Sequence, residues 1–188
     1  MNLPSNIKHL LLSIILTGSF FNAAAAEDAN KSAKAPESTI TRQRELAKER
    51  MQKDTDRFSQ EQLRAIETLY QSANKNLKAP EAKALLEKLV SEYGDANRAG
   101  CGILYLCKMT QGEEQIKYLT EAIAKYGDCY YGNGVQVGPY ARYYLAKRYQ
   151  RDKRNDEAQA LYKEIGTLYP DAVTHGGTLL SSSLGQTK

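Results

Sequence analysis

The 188-residue chain has no tryptophan, only two histidines and no Cys-x-x-Cys pair. His9 lies in an N-terminal apolar segment and His175 close to the C-terminus, so any histidine metal site or Ser/His/Asp triad would rest on His175 alone. His175-Gly176-Gly177 matches part of a lipase oxyanion loop, but only eleven residues follow it and none forms a nucleophile elbow, so a tail is expected there. Gly132, Gly134 and Gly138 are spaced wrongly for a dinucleotide fingerprint and follow a helical segment rather than a strand. An enzyme is therefore not expected, and no cofactor or metal is implied. A large excess of one charge is also missing: 26 Lys and Arg face 22 Asp and Glu, and a net +4 is too mild to imply a nucleic-acid partner. No apolar run approaches the roughly 20 residues of a membrane span.

What is present starts with an export signal. Residues 1–26 combine Lys8, a short apolar run from Leu10 to Leu16 and the small-residue site Ala23 to Ala26, as a secretory signal peptide does. Cleavage after Ala26 leaves a mature charge of +3. With no cysteine near the cleavage site to take a lipid, the expected location is soluble in an oxidising compartment, most simply a bacterial periplasm. A hydrophobic share of 41% can fill a core, which excludes wholesale disorder and fits one domain plus a tail.

Residues 27–39 have the composition of a linker. Residues 40–62 read as a charged N-terminal helix or cap, in which Ile40, Ala47, Met51 and Phe58 form a narrow stripe, and homo-oligomerisation through residues 40–58 is one expectation. From Leu63 the chain repeats. Three segments close alike, at Tyr93-Gly94-Asp95, Tyr126-Gly127-Asp128 and Tyr169-Pro170-Asp171, with tyrosine offsets of 33 and 43. The period near 34 is that of paired-helix solenoids, and the second gap holds ten extra residues. The units are 63–95, 96–128, an insertion at 129–138, and 139–172, followed by a C-terminal tail at 173–188. Opening helices are predicted over residues 63–76, 97–109 and 139–151, and Gly94, Gly127 and Pro170 stop the closing helices. The fold class is all-α: a helical-repeat solenoid of about three antiparallel helix pairs with an N-terminal helix.

Leu145, Ala146, Tyr149, Ala158, Tyr162 and Pro170 fall on the large, small, aromatic, small, aromatic and proline positions of the tetratricopeptide repeat. The segment 139–172 thus resembles that family. Residues 63–95 agree at Leu69, Ala82, Leu86 and Leu89 but carry Tyr70 at a usually small position, and 96–128 fits loosely. Over about 110 residues the chain is similar to helical-repeat proteins of the bacterial envelope, such as those serving the Tol-Pal system or outer-membrane assembly. The resemblance implies a right-handed solenoid that scaffolds protein binding.

Cys101 and Cys107 point to different faces of one predicted helix, separated by roughly 9 Å along its axis, and cannot bridge. A hairpin turning near Gln111-Gly112 sets Cys129 closer to Cys101, so a Cys101–Cys129 disulfide is expected, worth roughly 3 to 4 kcal/mol in chain entropy. Three reduced, buried cysteines are the alternative. The insertion carries Tyr130 and Tyr131 and precedes a helix with Arg142, Tyr143 and Lys147. Tyrosine and arginine are favoured interface residues, so these five are the candidate partner-binding patch, with Tyr131→Ala and Arg142→Ala expected to weaken binding without disturbing the fold. The expected function is an exported scaffold binding a protein or peptide partner. Alternatives are an oligomeric structural module or an envelope-polysaccharide binder on stacked tyrosines.

Overall fold

The structure, a computed structural model, describes residues 34–184; the expected signal peptide at 1–26 and its cleavage site lie outside the described residues. Among the described residues there are seven α-helices and no strand: α1 (Glu37–Arg57), α2 (Gln60–Lys75), α3 (Pro80–Glu92), α4 (Asn97–Met109), α5 (Gly112–Lys125), α6 (Val137–Arg151) and α7 (Asn155–Leu168), with a short 3-10 turn at Leu180–Ser183. No described helix is long and apolar enough to cross a membrane.

Local chemistry explains the boundaries. α2 starts on a reciprocal cap: the Ser59 hydroxyl accepts from the Gln62 N–H at 3.2 Å, and the Gln62 side chain accepts from the Ser59 N–H at 2.9 Å. Pro80 opens α3, where its missing N–H is no loss. α4 has Ala96 at its N-cap and no local side-chain cap. Its cap comes instead from α1, where the Asp54 carboxylate accepts from the Asn97 N–H at 2.7 Å.

From α2 to α7 each helix packs against the next in sequence, and α4 also touches α2 and α6. α4 is the centre of the core. Nine of its thirteen residues are buried, which two glycines make possible. A Cβ on Gly100 would lie 2.5 Å from the Cys129 Cβ, so only glycine lets the insertion press this close to α4. Leu86 and Leu89 of α3 pack beside Gly102, while Leu104, Leu119, Val135, Val137, Leu145 and Ile165 fill the rest.

Two expectations change. The N-terminal helix begins at Glu37 and is not a cap on one end; it lies across the turns that join the helices. Ala35 N–H donates to Gly177 O, Gly134 touches the backbone at Gln43 and Arg44, and Arg50 and Asp54 reach Asp95 and Asn97. Gly134 has φ +90°, and a Cβ there would meet α1 at 3.0 Å. Ile40 and Ala47, half of the stripe expected to join copies, are buried within this chain, and Phe58 packs edge-on to Tyr93. The tail is built into the fold as well. Thr174 N–H donates to Thr178 O, Leu180 N–H donates to Ala172 O, and Val173 and Leu180 are buried.

Candidate binding face

The insertion is where α1 and α4 meet. Asn97, 1% exposed, pairs with Tyr130 as a strand neighbour would: its Nδ2 donates to Tyr130 O and its Oδ1 accepts from Tyr130 N–H, both at 2.7 Å. Beside it the Arg50 guanidinium donates to Asp54 at 2.6 Å and to Asp95 O at 2.9 Å. Arg50, Lys53, Arg57, Lys125, Asp95 and Asp128 surround a cavity of about 270 Å³ between α1 and these turns. Its charges are largely matched, Arg57 to Asp95 at 2.7 Å and Arg50 to Asp128 at 3.4 Å.

The expected Cys101–Cys129 disulfide is not formed; all three cysteines are free and buried. Cys129 packs on Gly100, the residue before Cys101, and its sulfur lies 3.7 Å from Arg50 Nη2. The Cys101 thiol donates to Tyr130 O at 3.3 Å. Burial holds the Cys107 and Cys129 thiols up at about 12 and raises Cys101 further. They are protonated at neutral pH.

A different arrangement crosses the other end of α4. Lys108 Nζ sits 5.6 Å from the ring centroids of both Tyr105 and Tyr144. Tyr105 meets Tyr131 at 6.1 Å, Tyr131 meets His175 at 4.9 Å, His175 meets Tyr140 at 5.3 Å, and Tyr140 meets Tyr144 at 5.4 Å. These contacts close a circuit of four tyrosines with an ammonium at one pole and an imidazole at the other. Every aromatic pair in it is edge-to-face, the geometry that ring quadrupoles favour. Lys108 and His175 are exposed, Tyr105 and Tyr144 half-buried, Tyr131 and Tyr140 buried. Tyr70 extends the circuit across α2, its hydroxyl 3.4 Å from that of Tyr105, and Arg98 covers its ring at 4.5 Å while pairing with Glu67. Desolvation lowers the Lys108 pKa, and desolvation followed by the Lys108 charge lowers that of His175. Burial pushes the Tyr144 phenol up to about 12.

The five patch residues separate. Tyr131 joins the circuit but is only 7% exposed, and its hydroxyl donates to Cys101 O at 3.1 Å, so it belongs to the core as much as to a surface. Tyr143 lies 5.8 Å from Tyr144 at the circuit's edge, with Lys147 above its ring. Tyr130 is buried on the α1 side. Arg142 donates to Glu164 at 2.8 Å and covers Tyr169, away from the circuit. Sequence reasoning missed Tyr105, Lys108, Tyr140, Tyr144 and His175. The i, i+4 pair Tyr140 and Tyr144 on an opening helix was the available signal.

Among the described residues no three His, Cys, Asp or Glu side chains converge as metal ligands would. Comparison of the chain with protein-family models, curated proteins and solved structures finds no match.

Proposed function

We propose that this chain is an exported helical-repeat scaffold that binds a protein or peptide partner in the cell envelope, without chemistry of its own. On this reading α2 to α7 are three antiparallel pairs of a right-handed, tetratricopeptide-like solenoid. The contacts of α4 with α2 on one side and α6 on the other support a stack whose opening helices neighbour one another. The observation that carries the reading is the tyrosine circuit of Tyr105, Tyr131, Tyr140 and Tyr144 around Lys108 and His175. It presents the half-buried Tyr105 and Tyr144, backed by the buried Tyr131 and Tyr140, beside an exposed ammonium, and tyrosine is among the residues that interface hot spots favour. A glycan platform needs open ring faces, whereas these rings meet edge-to-face and Lys108 covers two of them.

The test is crosslinking in intact envelopes with the full chain and with Tyr144→Ala and Lys108→Ala. A partner set captured by the wild type and lost from both variants, at unchanged helicity, supports the reading. Capture that is indifferent to both variants removes the circuit as the binding face.

A further inference from the structure

Little apolar burial holds α1 to the rest of the fold. Four of its 21 residues are buried, and since two of those are Gln43 and Asp54, Ile40 and Ala47 are the only apolar side chains this helix buries. Docking also leaves polar atoms unmatched. Among the described residues the two buried side-chain N or O atoms without a hydrogen-bond partner are Gln43 Oε1 and Arg50 Nε, and both belong to α1. The Asp128 carboxylate comes within 3.4 Å of Arg50 Nε without completing the bond. Buried donors and acceptors left unmatched make a docked surface costly, so other forces must keep the helix in place.

Those forces are charges laid out on the period of the repeats. Arg50 and Arg57, seven positions and roughly 10 Å apart along α1, reach Asp128 and Asp95, the aspartates that end two successive Tyr-Gly-Asp turns. Arg50 Nη2 also donates to Asp95 O at 2.9 Å, and Asp54 accepts from the Asn97 N–H at 2.7 Å. The Asp95 and Asp128 side chains are 76% and 69% exposed, so both cross-element ion pairs lie where dissolved salt screens them. Leaving does not require α1 to dismantle its neighbours. The cap of α2 is made by Ser59 and Gln62 alone, Phe58 between the two helices is extended at φ −107° and ψ 143°, and Asn97 keeps both side-chain bonds to Tyr130. Release gives up the Asp54 cap of α4, and the Asn97 N–H then turns to water. We infer that α1 is a releasable ionic latch: rising ionic strength undocks residues 37–57 from the turns as one unit, hinged at Phe58, while α2 to α7 stay folded. Release uncovers the Cys129 thiol and frees the Asp95 and Asp128 carboxylates, all of which line the cavity beneath α1.

The test is amide hydrogen exchange on the full chain at about 0.05 M and about 1 M sodium chloride, with thiol labelling in the same buffers. Amides over 37–57 are expected to exchange together and ahead of those of α4 beyond its first turn, and at least about fivefold faster in the higher salt, while the α4 amides change by less than about twofold. Labelling of Cys129 should accelerate in step with α1, and that of Cys107, which does not line the cavity, should not. The double variant Asp95→Asn, Asp128→Asn changes two exposed side chains and should bring the high-salt exchange of α1 to low salt. The latch is overturned if α1 exchanges only together with α4, if its exchange is indifferent to salt or to the double variant, or if Cys129 stays as unreactive as Cys107 in the higher salt. None of these outcomes bears on the tyrosine circuit, which lies at the other end of α4.

Discussion

At its first residue α4 is tied down by Asn97, whose backbone and side chain make three hydrogen bonds of 2.7 Å, all closed to water. Eleven residues on, roughly 16 Å along the same helix, the exposed Lys108 stands over two tyrosines with no acidic partner among the described residues. At the first end every polar group of Asn97 has a partner from α1 or the insertion, so it has nothing left to offer a ligand. At the second end the Lys108 ammonium has no acidic partner among the described residues. One helix thus carries a structural junction and an unsaturated surface, and polar saturation separates the two better than residue type does, since tyrosines occur at both.

The largest effect should come from breaking the junction. Asn97→Ala leaves the Tyr130 N–H buried without its partner and the Tyr130 C=O with only the weak Cys101 thiol donor, and should cost about 3 kcal/mol in urea unfolding. Lys108→Met should stay within about 0.5 kcal/mol in the same assay, as exposed substitutions do. Equal losses at the two sites would erase the contrast. Asp54→Ala comes next, at about 2 kcal/mol, because it removes the cap of α4 and leaves Arg50 without its closest carboxylate.

The helices of the stack are legible in the sequence because their signals are local. Apolar spacing at 3 and 4 residues together with the stops at Gly94, Gly127 and Pro170 locates them, and the predicted 97–109 agrees with α4 at both ends. The junction is not legible, because Asp54 and Asn97 are 43 residues apart and nothing local marks a carboxylate on one helix as the cap of another. The hairpin geometry set Cys129 nearer to Cys101 than to Cys107, but its Cβ packs on Gly100 and the disulfide does not form. Beyond the i, i+4 pair Tyr140 and Tyr144, the tyrosine circuit escaped because its members come from separate segments and because His175, read as part of a tail, is held by Tyr131 and Tyr140.

Smaller effects sharpen the comparison. The three thiols, buried and protonated, should resist iodoacetamide in the native state and all react in denaturant; rapid native labelling of Cys129 would mean that the junction opens readily. The smallest effect is a pH dependence of stability. The folded-state pKa of His175 is depressed below 6.5, so the unfolded chain binds more protons between the two values, and stability should fall slightly as the pH drops through that window. His175→Gln should flatten that slope.

The most direct measurement places a photoreactive side chain at position 108 or at position 53, the latter being exposed on α1 beside the junction, and compares the crosslinks formed in intact envelopes. If the unsaturated end of α4 is the binding face, position 108 captures a defined partner and position 53 does not. Capture of the same partner from position 53 but not from position 108 would contradict the account.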